Sequence, residues 1–267
     1  MKVVFSLVLY KHSYKEIYSL LNDIDNFYNF ALSQKISTEL KIYDNSSKKK
    51  DSLEKYFKKH YIKYYLSSIN IGFGKAHNMN LLQKKEISKD TVFIIINPDI
   101  NFKYRELFDY LRSFMISNYL CVAPLILNEN GKIQYSAKKN PTLLSLIIGR
   151  FKIFRNFYIF DKYYKSHINY NRNYQKEKIN SSYLSGCFLI VRSECFYKVN
   201  GFDIRYFLHL EDADFTRMCS NYGEVVHDPS LKIIHRWARG SHKSFRQMFC
   251  LCISLIKYFW KWGFEVF

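Results

Sequence analysis

Short apolar runs alternate with helical patterns along the first half of this chain, and that alternation limits its fold more than any other feature. Val3 to Tyr10 is a largely β-branched apolar run, and large apolar residues then recur every three or four positions as far as Ile24. Further strands are predicted over 40–43, 62–66, 92–96 and 120–127, and helices over 53–61 and 104–116. This order predicts an α/β protein with a mostly parallel central sheet flanked by helices.

The second half is less regular. Its pattern predicts a turn over 128–131 leading to a strand over 132–135, one long strand over 181–192, and two short strands over 224–227 and 231–235. Residues 141–178 mix aromatic and aliphatic residues with Lys and Arg without strand spacing. A helix from about Phe245 to Trp262 is rich in aromatic and aliphatic residues but is interrupted by Lys257 and Lys261.

Two of the predicted strands end on an aspartate. The second strand runs into Asp44, and the strand over 92–96 runs into Asn97-Pro98-Asp99. Ligands of open parallel sheets bind beyond the carboxyl ends of the strands. Both aspartates are therefore candidate ligand-binding residues.

The stretch from Phe207 to Asp214 places the carboxylates of Glu211, Asp212 and Asp214 at the end of an apolar segment. A carboxylate beside apolar surface loses hydration, so it needs a cation or a hydrogen-bond donor, or its pKa rises until it can act as a base. Both outcomes indicate a site. The alternative is the first turn of a helix running to about Asn221, where carboxylates cap free N–H groups and offset the dipole.

The loop from Asn70 to Asn78 contains Gly72 and Gly74 at the predicted start of a helix. Two glycines permit a tight turn and a close approach of the backbone to a ligand. The loop has the wrong length for a P-loop and lacks the third glycine of a dinucleotide fingerprint. A plain connecting loop is therefore the alternative to a phosphate cradle.

The chain carries 41 Lys and Arg against 23 Asp and Glu, a formal charge of +18. This excess predicts attraction to a polyanion, which could be nucleic acid, an anionic membrane or a phosphorylated substrate. Lysines spread over solvated faces are the simpler alternative. The basic, aromatic composition of 141–178 favours a membrane surface, ahead of stacking on single-stranded nucleic acid or packing within the domain. For 245–262 the alternative to a membrane surface is a buried core helix.

The six cysteines include no CxxC pair, which predicts buried free thiols. The apolar run near the N-terminus is followed by no small-residue cleavage site, so we interpret it as a strand and not a signal peptide. Together these features predict a reducing, cytoplasmic location.

In chain order, the segments that carry a family pattern are Asp44, the loop over 70–78, Asn97-Pro98-Asp99, Gly186-Cys187-Phe188, Gly201-Phe202-Asp203 and Leu210-Glu211-Asp212-Ala213-Asp214. With these segments the chain resembles the family 2 inverting glycosyltransferases. The resemblance is closest to bacterial rhamnosyltransferase-like enzymes of surface-polysaccharide synthesis and covers essentially the whole chain, including 235–244 and 258–263.

The resemblance implies a GT-A fold over residues 1–244. Its nucleotide-binding half would span 1–125 and its acceptor-binding half 181–244, with 141–178 as a basic, aromatic insertion. Residues 245–267 would form a C-terminal amphipathic helix lying on a membrane surface.

The resemblance also implies roles for individual residues. Asp212 matches the general base, and Asp214 would be the helix-capping carboxylate. Positions that match donor-binding residues are Tyr10, Asp44, Asn70, Gly74, Asn78 and Asp99. Positions that match residues near the acceptor or the diphosphate are Gly186, Glu211, His235 and Arg239.

Asp99 and His235 match metal-binding positions, and the implied cofactor is a divalent cation, Mg²⁺ or Mn²⁺. Asn97 stands where the family's first metal-binding carboxylate would be. Lys and Arg could neutralise part of the diphosphate charge instead, and His235 could equally be a hydrogen-bonded histidine at a strand end.

The function implied is transfer of rhamnose or a related deoxyhexose from a dTDP- or UDP-linked donor to a lipid-diphosphate-linked saccharide in O-antigen or capsule-type synthesis. The enzyme would lie on the inner face of the cell membrane and bind its anionic surface. One alternative is the same fold with a UDP-hexose donor. The other is a basic nucleic-acid-binding protein, which we do not favour because it leaves Asp44, Asp99 and Asp212 unexplained.

Overall fold

Strands and helices alternate through the first half of the chain, as the sequence predicts. A computed structural model describes residues 1–46, 54–82, 88–236 and 245–267. The elements of the first half are β1 (Lys2–Leu9), α1 (Tyr14–Ser33), β2 (Ser37–Asp44), α2 (Glu54–Phe57), β3 (Ile62–Leu66), α3 (Phe73–Leu81), β4 (Thr91–Ile96), β5 (Ile100–Phe102), α4 (Tyr104–Ile116) and β6 (Tyr119–Leu127).

Shorter elements make up the second half. They are β7 (Ala137–Lys138), α5 (Leu143–Arg150), a 3-10 helix (Lys152–Asn156), α6 (Tyr158–His167), β8 (Ile179–Asn180), β9 (Tyr183–Leu184), β10 (Phe188–Arg192), α7 (Ser193–Lys198), α8 (Glu211–Ser220), β11 (Glu224–His235) and α9 (Phe245–Trp262).

The central sheet has the strand order β3-β2-β1-β4-β10-β6-β11-β5, and β8 pairs with β11. The strands β3, β2, β1 and β4 are parallel, and β6 and β11 run in the same direction as these four. The predicted α/β fold with a mostly parallel, helix-flanked sheet is confirmed. Because β10 runs the other way, its first residue, Phe188, lies opposite Ile96 at the end of β4.

Both faces of the sheet are buried. Alternate residues of β1 point to opposite sides, so that Val3, Phe5 and Leu7 join one core cluster and Val4 joins another. The first cluster includes the apolar faces of α1 and α4, and the second includes residues of α3, α7 and α8. Burial on both faces explains why the parallel strands have nearly continuous apolar sequences.

Three strand predictions for the second half were wrong. The predicted strand over 181–192 is divided into β9 and β10 by residues 185–187, because β9 pairs with β7 in a separate two-stranded sheet. Residues 132–135 form no strand, and Ile133 makes a single bridge to Leu127. The two strands predicted over 224–235 are one strand, β11, with a register shift between Asp228 and Lys232 that accommodates Pro229.

The insertion over 141–178 contains α5, the 3-10 helix and α6, and it lies beside the C-terminal end of the chain. The backbone N–H groups of Leu143 and Leu144 donate to the carbonyl oxygens of Glu265 and Val266, over 3.0 and 3.1 Å. These bonds join the two segments that the sequence analysis singled out for their aromatic and basic residues. Within the described ranges, no helix combines the length and the apolar character needed to cross a membrane.

The side-chain amide of Asn78 ties α3 to a loop far along the chain. Its Nδ2 donates to the carbonyl oxygen of Phe202 over 2.7 Å, and its Oδ1 accepts from the N–H of Phe202 over 2.8 Å. Both residues are buried. This pair of bonds fixes the position of α3 against the segment that leads into α8.

We expect Asn78→Ala to lower the free energy of unfolding by roughly 2 to 4 kcal/mol. Two buried backbone groups of Phe202 would lose their partner, and each such loss costs about 1–3 kcal/mol. Urea denaturation measures the change, with Asn22→Ala on the exposed side of α1 as the matched control. If both variants lose the same small amount, the Asn78 amide does not hold α3 in place.

Candidate active site

Four strand ends meet at one edge of the sheet, together with the start of the reversed strand β10. The carboxyl ends of β1, β2, β4 and β11 bring Tyr10, Asp44, Asp99 and His235 to this edge. Gly186 comes to the same edge because it precedes β10. The sheet topology thus assembles candidates from five separate parts of the sequence.

Asp99 and His235 form an ion pair at the end of β11. Asp99 Oδ1 lies 3.2 Å from His235 Nε2, and the backbone N–H of Arg236 donates to the Asp99 carbonyl oxygen over 2.9 Å. The His235 Nδ1 contacts Gln134 Oε1 at 2.8 Å, and Gln134 Nε2 donates to the His235 carbonyl oxygen. Gln134 therefore orients the ring.

The surroundings of His235 favour its protonated form. Burial lowers its pKa, but the hydrogen bonds with Asp99 and Cys187 more than offset that effect and raise the pKa to about 10. The raised pKa favours an imidazolium at the sheet edge as long as the ring binds no metal ion. Arg239, which the resemblance also implicates here, lies outside the described residues.

Asp44 is almost fully buried, and both of its carboxylate oxygens accept hydrogen bonds. Oδ1 accepts from the Ser46 N–H over 2.9 Å, and Oδ2 accepts from the Tyr64 hydroxyl over 2.8 Å. These donors fix the direction of the carboxylate and leave each oxygen a second lone pair. Tyr10 lies nearby, just past the end of β1, with an exposed side chain.

The loop over 70–78 is anchored on both sides. Asn70 Oδ1 accepts from the Gly72 N–H over 2.9 Å, and Asn45 bonds to the backbone of Ile71 and Gly72. Gly72 has φ of +92°, and a Cβ there would lie 2.5 Å from the Phe207 carbonyl oxygen. Close chain packing therefore requires this glycine.

Gly74 meets the same kind of constraint, since a Cβ there would lie 2.8 Å from the Cβ of Phe202. The N–H of Phe73 donates to the Phe207 carbonyl oxygen over 3.1 Å. The glycine loop is thus packed directly against the segment that carries the acidic residues. The donor-binding roles of Asn70, Gly74 and Asn78 stay predictions, since these contacts are structural.

Asp212 is held by the chain at Gly186. The N–H of Gly186 donates to Asp212 Oδ2 over 2.9 Å, and the N–H of Ala213 donates to Oδ1 over 2.8 Å. A Cβ at position 186 would lie 2.9 Å from the Asp212 Cβ, so the approach needs glycine. Asp212 is partly exposed and therefore accessible from the sheet edge.

Glu211, by contrast, is buried, and its Oε2 has no hydrogen-bond partner among the described residues. Burial, and then the neighbouring charge of Asp212, raise the pKa of Glu211. The raised pKa favours the protonated acid, which can donate a hydrogen bond. Two adjacent carboxyl groups are thus placed in different environments, one hydrogen-bonded and accessible, the other dry.

The third carboxylate, Asp214, binds the C-terminal helix. The resemblance implied that Asp214 caps the helix, but its side chain is fully buried against α9. Lys261 Nζ donates to Oδ2 over 2.9 Å and Trp262 Nε1 donates to Oδ1 over 2.7 Å. Asp214 therefore fixes α9 to α8.

A backbone hydrogen bond links the Asp99–His235 pair to the position of Asp212. The N–H of Asn97 donates to the Cys187 carbonyl oxygen over 2.9 Å, which links the Asp99–His235 pair to Gly186 and so to Asp212. Sequence reasoning missed the supporting side chains. They are Asn45, Tyr64, Gln134, Lys261 and Trp262.

A cavity of about 500 Å³ lies beside α3. Its lining includes Lys75, Met79, Ile204 and Met218, but not Asp44, Asp99 or Asp212. A site chosen by cavity volume alone would therefore miss these three aspartates. We place the candidate site at the sheet edge, because Asp44, Asp99, Asp212 and His235 lie there, whereas Asn78 is the one candidate donor-binding residue among the described residues that line this cavity.

Comparison with known proteins gives two curated relatives, and no family model matches the chain. The rhamnosyltransferase WbbL of Escherichia coli (strain K12) is 29% identical over 187 residues, which cover 68% of this chain and 66% of that protein. An N-acetylglucosaminyl-diphospho-decaprenol L-rhamnosyltransferase of Mycobacterium tuberculosis is 28% identical over 192 residues, 64% of this chain and 58% of that protein. The match spans less than two thirds of each relative's length.

Solved structures share the fold at lower identity. GalNAc-T7 with UDP, GalNAc and Mn²⁺ superimposes with a TM-score of 0.62 and 15% identity, covering 88% of this chain and 43% of that one. Residues 1–349 of S. aureus TarS with UDP-GlcNAc give a TM-score of 0.59 and 18% identity, covering 92% and 62%. The chain therefore has the GT-A fold and is similar in sequence to rhamnosyltransferases.

Proposed function

We propose that this protein is an inverting glycosyltransferase that moves a sugar from a nucleotide-diphosphate donor to a lipid-linked saccharide, with Asp212 as the general base. The observation that carries the proposal is the hydrogen bond from Gly186 to Asp212, which holds a carboxylate at the edge where Asp44 and Asp99 follow their strands. The names of the two curated relatives support rhamnose, or a related deoxyhexose, as the sugar.

The donor would bind along the ends of β1, β2 and β4. Asp44 has a fixed carboxylate with free lone pairs, which suits the N–H group of a pyrimidine base. Tyr10 and Asn70 flank this position from neighbouring loops, and Gly74 and Asn78 hold the loop that closes it. Either dTDP or UDP meets this requirement, because both carry a pyrimidine with the same acceptor and donor edge.

The diphosphate would lie near His235, whose imidazolium offers positive charge. Arg239 is proposed for the same role, and the formal charge of +18 favours approach of an anionic donor.

A divalent cation, Mg²⁺ or Mn²⁺, fits only in part. Asp99 would hold it, and His235 would join Asp99 as a ligand only as the neutral imidazole, after losing its Nε2 proton, so the ring would serve either the ion or, as a cation, the diphosphate. The contact from Gln134 to the other ring nitrogen is typical of a metal-binding histidine. No group of three candidate ligand side chains occurs within the described ranges, so donor oxygens would complete the coordination. The ion would supply charge neutralisation of the leaving diphosphate.

The transfer itself is an in-line displacement. The acceptor hydroxyl oxygen forms a bond to the anomeric carbon as the bond to the diphosphate oxygen breaks, so the configuration inverts. The hydroxyl proton passes to the carboxylate of Asp212. Glu211 is proposed to orient the acceptor sugar, and its buried carboxyl would have to become accessible when the acceptor binds in order to donate a hydrogen bond to it.

A lipid-linked acceptor requires access to a membrane. We define the apolar face as the exposed residues of α9 and of the insertion, where side chains are 50–86% exposed: Phe249, Ile256, Trp260, Phe151, Ile153, Phe157, Tyr158 and Ile159. Lys152, Arg155 and Lys162 lie in the same insertion. Aromatic residues mixed with Lys and Arg suit an anionic bilayer surface, which supports a peripheral position on the inner face of the cell membrane.

A UDP-hexose is the second candidate donor. The S. aureus TarS structure contains UDP-GlcNAc, and the GT-A fold it shares with this chain leaves donor choice to a few pocket contacts. Thermal stabilisation by a panel of dTDP- and UDP-sugars distinguishes the two candidate donors, because a ligand that binds only the native state raises the melting temperature of the protein. If the donor carries rhamnose, we propose that the enzyme acts in O-antigen or capsule-type polysaccharide synthesis.

Asp212→Asn should reduce sugar transfer by about 10²- to 10⁴-fold while donor affinity stays near the wild-type value, because the amide keeps the shape and loses the basicity. Transfer, donor affinity and melting temperature are measured on one preparation. Asp109→Asn, an exposed position on α4, is the matched control and should retain full turnover. Near-normal transfer by a folded Asp212→Asn protein would exclude this base.

Asp99→Ala should remove the metal dependence of nucleoside diphosphate binding, whereas Asp44→Ala should weaken binding equally with and without metal. The reason is that Asp99 is proposed to contact the ion and Asp44 the base. Calorimetry with Mg²⁺, with Mn²⁺ and with a chelator measures both effects. Identical affinities of wild type and Asp99→Ala with metal present would rule out the metal role.

The protein should sediment with anionic liposomes at low salt and release as salt increases, because both apolar insertion and charge contribute. Replacing Trp260 and Ile153 by Ser should weaken binding several-fold. Ile116→Ser is the matched control, since Ile116 is 89% exposed but lies on α4, away from the apolar face. Equal binding by both variants would show that the apolar face does not contact lipid.

A further inference from the structure

One face of α9 is bonded to α8 and to the loop before it at several points. Ser254 Oγ donates to the Leu208 carbonyl oxygen over 2.9 Å, and Lys257 Nζ donates to the Arg205 carbonyl oxygen. Arg217 NH1 donates to the Tyr258 hydroxyl over 3.0 Å. These bonds run along the segment that begins before Glu211 and continues one turn beyond Asp214.

The bonds to Asp214 lie at the point where α8 carries its other two carboxyl groups. Lys261 and Trp262 occupy one oxygen each, so the fully buried carboxylate is paired and hydrogen-bonded. A buried charge without partners is strongly unfavourable. The buried position of Asp214 therefore depends on α9, which supplies both partners. Asp212 is two residues away in the same helical turn.

The start of α8 is also strained. His209 and Leu210 have φ of 72° and 63°, values that residues with a side chain seldom adopt. Such backbone persists only where surrounding contacts enforce it. The contacts that enforce it here include the Ser254 bond to Leu208 on one side of the turn and the Asp214 pair on the other.

We propose that Lys261 and Trp262 are positioning residues for the transfer reaction. Through Asp214 they fix the first turn of α8, so that Asp212 keeps its bond to Gly186 and Glu211 keeps its place beside it. This inference rests on the proposed function, since it assigns the two residues an effect on transfer. It adds the C-terminal helix to the catalytic apparatus without any contact between that helix and the substrate.

The alternative is that α9 only stabilises the fold. In that case, removing Lys261 would lower the melting temperature but leave the turnover of the folded protein unchanged. A positioning role predicts a fall in kcat with an unchanged KM for the donor, because the donor binds at the ends of β1, β2 and β4. The two roles therefore separate in the same set of measurements.

The test compares full-length variants at a temperature at which each is fully folded. In Lys261→Met we expect kcat to fall by about 10- to 100-fold, the order expected when a catalytic group is displaced by about 1 Å. Trp262→Phe, which keeps the ring and loses the N–H group, should show a smaller fall. Lys261→Arg should restore most of the turnover because it keeps the charge.

Lys59→Met is the matched control. Lys59 also forms an ion pair, with Asp25, but this pair lies between α1 and the start of β3. We expect its kcat to equal that of the wild type. A double-mutant cycle of Lys261→Met with Asp214→Asn should show that the two losses in kcat are not additive, as residues acting through one contact require.

The outcomes distinguish this inference from the proposed function. If the folded Lys261→Met and Trp262→Phe variants transfer sugar with the kcat of the wild type, the positioning role is overturned. The proposed glycosyltransferase activity is not affected by that result. Additive losses in the cycle would also overturn it, because the effect would not run through Asp214. Failure of the wild type to transfer any sugar from the donor panel would overturn both proposals.

Discussion

Three carboxyl groups crowd the first turn of α8, two of them buried and one, Asp212, partly exposed, and this is the constraint on which the rest of the site depends. Moving an ionised carboxylate out of water costs several kcal/mol unless partners replace its hydration, and hydrogen bonds to charged groups return about 1.5–3 kcal/mol each. Asp214 is paired by α9, Asp212 is bonded by the backbone of Gly186, and Glu211 shifts toward its neutral acid. The first two solutions each recruit another part of the chain, so the position of α8 determines the positions of α9 and of the loop before β10.

The sequence left two interpretations of the C-terminal helix open, a helix on a membrane surface and a helix packed within the domain. In the structure, one side of α9 is packed against the protein and the other side is exposed. Ser254 and Tyr258 are buried against the rest of the protein, while Phe249, Ile256 and Trp260 are exposed. Lys257 and Lys261, which interrupt its apolar sequence, bond to Arg205 and Asp214. Lysines that appear from sequence to be solvated charges are therefore structural contacts, and the apolar residues on the other side of the helix stay exposed.

The sequence predicted the sheet and its candidate edge because those features depend on local patterns. Asp44 and Asp99 each follow a strand directly, and the strand pattern alone places them at one edge. The partners of the site residues could not be predicted in this way. Gln134 reaches His235 across 101 residues and Trp262 reaches Asp214 across 48, and no periodicity links positions so far apart. The strand errors over 132–135 and 181–192 have the same origin, since pairing with a distant strand decides whether a short apolar run becomes a strand.

The charge at the sheet edge follows from what surrounds His235. Asn97 is neutral, so the loop after β4 carries one carboxylate, Asp99, and that carboxylate is paired with the His235 imidazolium. Had a second carboxylate stood at position 97, the edge would repel a diphosphate unless a cation were bound between them. With one carboxylate balanced by one imidazolium, the pair adds no net negative charge to the edge. In the proposed reaction, the charge of the leaving diphosphate would first be met by the chain's own cations, and a bound divalent ion would add positive charge without first having to cancel a surplus of carboxylates.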